Sequence, residues 1–569
     1  MKRLVAAVVA GLVGLVGCAS IPTSGGVEQV TIGPSPGGGG GAEIAPVPPA
    51  EGASRQQIVG GFLVAMASGT AGLAVARAYL TEQAASAWAP EKHPVQIYAG
   101  DASPQGGDLG TLSADRVGVL DPNGHFSPGR GRIVHDLQLT EVAGQWRIAA
   151  PPEGLVLSEY MFGRYYQSYP IYFMNRHNKV FPELVYLPSG RGTPTQVLQT
   201  LALGPSEWLA PSVLTAIPVG TTVSVTAVGQ VAQVAFDASI EKLGEEDRRR
   251  LGAQVIWTLS SFPRIVGVTL TAGGAPYEVP GQSADGVLDL ASQQGYQVLS
   301  GAQTSELFAV SAGRLGRTSE RGGFMAVPGA VGQAGIGVQG AALSADGLLG
   351  AAVLADGRLW LGNIDTAGQF VATGMTAMLD PQVLLNSAWV AGTTASGGTA
   401  LVRVEGSELR TAVIPAELGR VVTFRVHPSG TSVAVILDRD GQHRLGVMRV
   451  EEASGVLSVT GWREVSGAVN GVPLAEFWDV DWSDESTLFI SARAAASNHT
   501  AFTVSYDGAK VSELGPLGGY NVTSVSTQPR KSGLIAVVRT DDGQFLRVDS
   551  RARWQLVTLK DVQAVLYAG

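Results

Sequence analysis

The sequence predicts a multidomain chain: an α+β domain, then an α/β domain, then an all-β propeller of about six blades. Three observations carry this. Helical spacing gives way to strand alternation between residues 54 and 158. A strand, helix, hairpin, helix, strand order follows over 159–280. From about Tyr296 onward a strand–turn–strand unit recurs every forty-odd residues, the period of a propeller blade. Apolar residues make up 45% of the chain and charged residues only 15%, enough apolar material for three cores.

The chain opens as a secretory signal, residues 1–17. Lys2 and Arg3 precede an uncharged run from Leu4 to Val16, too short to remain as a membrane-spanning helix. The stretch Leu15-Val16-Gly17-Cys18 resembles a bacterial lipobox. That resemblance implies cleavage after Gly17, an S-diacylglycerol on Cys18 and an N-palmitoyl group on its new amine, which together anchor the protein to the outer, extracytoplasmic face of the cell membrane. Two or three acyl chains give stable anchoring, at about 0.8 kcal/mol per buried CH₂. Cys18 is the only cysteine in 569 residues, so its acylation leaves no thiol for a disulfide, a thiolate metal site or a nucleophile. Loss of Lys2 and Arg3 takes the formal net charge from −9 to −11, and no basic run offers a nucleic-acid surface.

Residues 18–53 read as a tether. Between Ala19 and Ala53 lie nine Gly and six Pro, including five consecutive glycines at Gly37–Gly41, a composition that builds no core. Its root-mean-square reach is on the order of 30–35 Å.

Residues 54–158 open helical. Gln56–Ala76 is uncharged and long enough to be weighed as a second membrane segment, but Gln56, Gln57, Ser68 and Thr70 favour two short helices broken at Ser68-Gly69. Helical spacing then runs over Ala71–Trp88 and stops at Pro90. Strands are expected at Val95–Tyr98, Arg116–Leu120, Ile133–Thr140 and Trp146–Ala149, with a turn at Asp121-Pro122-Asn123-Gly124. Helices followed by a curved antiparallel sheet resemble the cone of the nuclear transport factor 2 group, where His135 is a pocket candidate but reads better as a satisfied structural histidine.

Seven of the fourteen residues in 160–173 are aromatic, from Tyr160 to Phe173, a stretch expected to pack one domain on the next. In 159–280, strands at Ile171–Met174 and Phe181–Leu187 lead to a helix from Thr195 that ends in Leu203-Gly204-Pro205-Ser206. The turn Ile217-Pro218-Val219-Gly220-Thr221, strands to Ala227 and over Val231–Phe236, a helix over Glu245–Ser261 and a strand at Val266–Leu270 complete the pattern. In order and motif this segment resembles the GerMN domain, which brings no catalytic motif with it. The segment Thr271–Gly295 is too apolar at Val287, Leu288 and Leu290 for a free linker, so this domain and the propeller are expected to move as one body.

Over 281–569, four turns look alike: Ser344-Ala345-Asp346-Gly347, His427-Pro428-Ser429-Gly430, Trp482-Ser483-Asp484 and Thr527-Gln528-Pro529, with a degenerate one at Asn386-Ser387. Spacings from Ser344 through Asn386, His427 and Ser483 to Thr527 are 42, 41, 56 and 44 residues. With a unit over Tyr296–Met325 this makes six blades, and Val562–Leu566 is expected to pair with the first and seal the ring.

The motif chemistry points away from catalysis. Gly335-Ile336-Gly337-Val338-Gln339-Gly340 has the dinucleotide-loop spacing but precedes a strand, not a helix. Asp479-Val480-Asp481 begins like a calcium loop yet has Ile490 where a bidentate Glu is needed. The pairs Asp438/Asp440 and Asp541/Asp542 fall at hairpin turns. No catalytic, cofactor-binding or metal-binding residue is assigned; the one site residue is Cys18.

Lipobox, Gly/Pro tether, α+β domain, GerMN-like domain and propeller, in that order, resemble the LpqB family of actinobacterial lipoproteins. The resemblance implies a non-catalytic accessory that contacts the extracytoplasmic domain of an MtrB-like sensor histidine kinase and so affects envelope and division control. The residues alone also accommodate a propeller enzyme of lactonase or glycosidase type, which needs an inward ring of Asp, Glu, His or Asn, and a cell-wall glycan binder.

Overall fold

The computed structural model describes residues 46–100, 110–190, 192–299, 304, 306–318, 323–469, 471–494, 497–514, 519–548, 553–559 and 561–569. Cys18, the cleavage position after Gly17 and the tether up to residue 45 lie outside the described residues.

The N-terminal domain begins with helices Arg55–Ala67 and Gly69–Ala78, parted at Ser68. Ser54 and Gln57 close the first helix with a reciprocal capping box. Gly69 takes φ +72, a left-handed turn that glycine adopts without strain. No helix among the described residues is long and apolar enough to cross a membrane. The helix expected over Ala71–Trp88 is two, the second being Glu82–Ala87 with Thr81 as its cap. Between them Leu80 bridges to Ile148, so a tertiary pairing outweighs helical propensity.

The sheet runs Phe126–Pro128, Thr111–Leu120, Val95–Tyr98, Val156–Ser158, with the last pair parallel and Arg132–Asp136 also on Thr111–Leu120. The single strand expected over Ile133–Thr140 is broken. Gln138 turns at φ +48 with its amide on Asp136 Oδ1, and Leu139–Val142 instead pairs with Gln145–Ile148. Phe62, Met66, Leu112 and Ile148 are fully buried at the centre.

In the next domain the hairpin Tyr166–Met174/Val180–Pro188 is followed by helix Thr193–Leu203. Strands Val223–Val228, Val231–Phe236 and Gly267–Ala272 form a sheet whose last two run parallel, joined by helix Glu245–Leu259. Leu288–Asp289 pairs with Gly267-Val268, and Val279 and Leu288 are buried in this domain's core. The chain therefore stays in the domain past residue 280, where the sequence placed the boundary. The cause is a slot in the helix at Gly252: a Cβ there would lie 3.1 Å from both Val279 and Leu288.

Six sheets then close a ring. Blade 1 holds Leu307–Ser311, Arg314–Thr318 and Phe324–Ala326, and its innermost strand is the C-terminal Val562–Tyr567, antiparallel to Leu307–Ser311. The chain thus seals its own ring, which removes the open edge between first and last blades. Blades 2 to 6 begin at Val338, Met375, Arg420, Ala468 and Val522. Inner strands of successive blades touch around the axis, and apolar side chains fill the spaces between blades.

The domains are not beads on a string. One continuous buried cluster joins Phe62 and Tyr98 of the N-terminal domain, Tyr186 of the second domain and Trp482, Phe477 and Tyr506 of blade 5. The aromatic stretch lies at this junction: Phe162 packs 5.3 Å from Tyr186, and Lys510 Nζ sits 4.3 Å over the Phe162 ring.

Candidate functional site

The recurring turn between the first and second strands of each blade appears on one face of the propeller. In blades 4 and 5 this turn holds the second domain. His427 is fully buried; its Nδ1 accepts from the Ser429 amide at 3.0 Å, so Nε2 carries the proton and donates to the Glu485 carbonyl at 3.0 Å. Burial drives its pKa down to about 4, against the smaller upward pull of that carbonyl. Phe181 meets the ring edge-on at 4.8 Å. Tyr172 donates to the Glu485 carboxylate at 3.1 Å, Asn175 Nδ2 to the Ser429 carbonyl at 2.8 Å, and Tyr186 to Asp507 at 3.1 Å. Burial raises Glu485 to about 7, with Lys531 and Tyr172 acting in the opposite sense. On the flank, Trp208 donates to the Gly461 carbonyl at 2.6 Å beneath the Arg463 guanidinium, 4.3 Å from the ring.

The inner strand of blade 5 carries two buried acid groups that are already engaged by the neighbouring blades. Asp479 accepts from Thr423 Oγ1 at 3.2 Å and from the Val525 amide at 2.9 Å; Asp481 accepts from the Thr527 amide at 2.7 Å and faces Arg425 Nε at 3.7 Å. The two carboxylates stitch blades 4, 5 and 6 together. Burial raises both, Asp479 to about 6, with Arg425 and the amides pulling the other way. Among the described residues no group of three or more His, Asp or Glu is placed to hold a metal ion. Asp438 pairs with Arg420 at 2.9 Å and Asp541 with Asn521 at 2.8 Å, both beside turns. The glycines at 335–340 lead into strand Val338–Leu343. His135 Nε2 lies 2.9 Å from the Ala150 carbonyl, the satisfied structural arrangement.

Where the second domain leans over blades 3 and 4, a cleft of about 110 Å³ remains open. Its walls include Arg176 and Ser212 from the second domain, and Leu385, Trp389, Arg403 and Glu452 from the propeller. Asn175, bonded to Ser429, ties the walls together at one end. Arg403 is held by Glu405 and by Glu452 at 2.8 Å; among the described residues its buried Nε and the buried Ser212 hydroxyl meet no hydrogen-bond partner. Leu385 is 61% exposed and takes φ +53, as the first residue of the two-residue turn joining Gln382–Leu384 to Ser387–Thr394. Glycine is usual there, and a branched side chain costs roughly 1–2 kcal/mol. Sequence reading missed this cleft, although Ser387 and Pro428-Ser429-Gly430 in its lining lay in turns that the repeat had marked: the lining comes from six separate segments that no local pattern relates.

Fold and junctions define a class: a three-domain protein whose six-bladed propeller is sealed by its own C-terminal strand and packs the other two domains against blades 4 and 5. Residues 48–163 match the family described as Lipoprotein LpqB, N-terminal domain; residues 170–278 match Sporulation and spore germination; residues 313–564 match Lipoprotein LpqB beta-propeller domain. A lipoprotein LpqB of Cutibacterium acnes is 32% identical over 97% of this chain and 96% of its own. That of Streptomyces avermitilis is 28% identical over 100% and 98%. Among solved structures, the first GerMN domain of the sporulation protein GerM from Bacillus subtilis is 25% identical, covering 22% of this chain and 97% of its own, with a TM-score of 0.19. The chain belongs to the LpqB lipoprotein family, a family of lipid-anchored, membrane-associated proteins.

Proposed function

We propose that this chain is a non-catalytic accessory of a two-component system, held at the outer face of the cell membrane by Cys18, where it binds the extracytoplasmic domain of an MtrB-like sensor histidine kinase. The partner and the effect on envelope and division follow from the resemblance to the family. The observation that carries the reading is the packing of three domains against one another: Tyr172, Asn175, Tyr186 and Trp208 bond the second domain to blades 4 and 5, and one buried cluster runs from the N-terminal domain through Tyr186 into blade 5. Such packing offers a partner one preorganised surface, which lowers the ordering cost of association. The tether supports the same reading. Its end is fastened to the N-terminal domain, where Tyr79 donates to the Val47 carbonyl at 2.7 Å and the Gly52 amide to Gln145 Oε1 at 2.9 Å. The full chain is expected to co-purify with the sensor's extracytoplasmic domain, and its deletion to change kinase output in cells. No capture and no change in output would refute the proposal.

A further inference from the structure

We infer that the N-terminal domain carries an interface for a second copy of this chain: strand Arg132–Asp136 pairs antiparallel with the same strand of another protomer, across a two-fold axis at Val134. This goes beyond the accessory reading and does not depend on it.

The backbone of this strand has an open side. Arg132–Asp136 pairs with Thr111–Leu120 and with no other described strand. Leu112 stands opposite His135 and Ala114 opposite Ile133. The ladder continues at both ends, where the Leu137 amide donates to the Gly110 carbonyl at 2.8 Å and the Arg116 amide to the Gly131 carbonyl at 2.7 Å. Antiparallel pairing alternates, so Ile133 and His135 turn their amides and carbonyls to the sheet, while Arg132, Val134 and Asp136 turn theirs away from it. Among the described residues those outward groups meet no hydrogen-bond partner. Two other edge strands are closed. Helix Thr193–Leu203 covers Val223–Val228: Thr195 Oγ1 donates to the Val225 carbonyl at 3.2 Å and accepts its amide at 3.0 Å. Val156–Ser158 is buried along its length. An open edge is a template for a further strand.

The side chains select a second copy as the occupant. Ile133 is buried and His135 is held at the Ala150 carbonyl, which leaves Arg132, Val134 and Asp136 exposed on the other face, Val134 at 65%. Edge strands commonly repel strangers with charges of one sign. Here the two charges are opposite and stand equally far from Val134. Antiparallel pairing about Val134 therefore sets Arg132 of each protomer against Asp136 of the other, and Val134 against Val134. Directly opposed pairs of unlike charge stabilise such a ladder. Both side chains are available for it. Arg132 Nε donates to Ser113 Oγ at 3.0 Å and Asp136 Oδ1 accepts the Gln138 amide at 3.0 Å, and neither forms an ion pair among the described residues, although Asp115 stands opposite Arg132 in the ladder. A two-fold contact uses up both edges and closes at the dimer. Copies anchored to one membrane surface meet at high effective concentration, so a short pairing suffices there.

The test uses the chain from residue 18 onward with Cys18→Ser, which leaves no cysteine. Sedimentation between about 5 and 200 µM is expected to show a monomer–dimer equilibrium. Arg132→Asp alone and Asp136→Arg alone should each weaken the dimer tenfold or more, because each gives the edge two charges of one sign. An equimolar mixture of the two single variants should dimerise as the parent does, and so should the double variant Arg132→Asp/Asp136→Arg. That recovery separates a lost contact from a lost fold. The Val134→Cys variant should form a disulfide between protomers, since residues facing each other in a hydrogen-bonded pair have Cα atoms about 5.5 Å apart. Equal dimerisation of the parent and both single variants overturns the inference. So does the absence of both dimer and disulfide at about 200 µM. Protection of the Val134→Cys thiol in a monomeric chain only after the sensor's extracytoplasmic domain is added also overturns it, and gives the edge to a foreign strand. Capture of the sensor by the parent is read separately: it can succeed with a monomer or fail with a dimer, so the accessory reading and this interface stand or fall apart.

Discussion

His125 of the N-terminal domain stands 3.6 Å from Glu183 of the second domain, Nε2 to Oε2, with its Nδ1 3.1 Å from Asp121 in its own turn. Glu183 is buried and also accepts from the Ser206 amide at 3.0 Å. Two carboxylates around one imidazole make the junction between these domains a charged clasp. The Tyr186 amide, donating to the Gly124 carbonyl at 2.8 Å, lies next to it.

That clasp sets an alkaline limit. Burial by itself disfavours the imidazolium, but Asp121 and Glu183 outweigh it and raise His125 to about 9. A raised histidine contributes stability below its unfolded value of about 6.5 and loses it as pH climbs through the folded value. His125→Gln is expected to be less stable than the parent by about 2 kcal/mol at pH 6.5, with the gap closing by about pH 9.5. Urea unfolding across that range is the measurement; a gap independent of pH would show that His125 is not charged in the fold.

His427 sets the acid limit with the opposite sign. Its folded pKa of about 4 lies below the unfolded value, so the unfolded chain takes up the proton first as pH falls. Stability is fully present above about pH 6.5 and declines toward pH 4, by at most about 3 kcal/mol from this group. His427→Gln should be less stable at pH 7, by about 2 kcal/mol, yet show a flatter loss between pH 6.5 and 4. Parallel acid profiles for variant and parent would count against this assignment.

The ring depends on its last strand. Val562–Tyr567 pairs along Leu307–Ser311, and Tyr567 and Leu566 are buried between blades. Truncation after Leu559 exposes the Leu307–Ser311 edge and apolar surface on both neighbouring blades. The truncated chain is expected to self-associate and to melt at a lower temperature, read by light scattering and calorimetry. A monomer with unchanged melting would mean that blade-to-blade packing alone closes the ring.

The anchor assignment has a direct check. Cys18→Ser should leave the protein without acyl chains and move it from the membrane to the soluble fraction, with unchanged thermal unfolding of the folded domains. Retention in the membrane after a salt wash would require another attachment.

Sequence alone determined those features whose cause is local. The blade count was legible because each blade repeats a turn between two apolar strands, and the closing strand because Val562–Leu566 alternates with no neighbour of its own. The break at Ser68-Gly69 was legible because glycine there supplies the left-handed turn. Tertiary structure decided the rest. Leu80 leaves the helix because Ile148 offers a strand partner, and Leu288 joins the second domain because Gly252 opens a slot for it. Arg176, Ser212, Leu385 and Arg403 lie far apart along the chain and share no motif; only the docking of one domain on the face of another brings them to one cleft. Repeats and turns are written in short-range spacing, whereas a site between domains comes from long-range packing, which pairs residues that no local pattern relates.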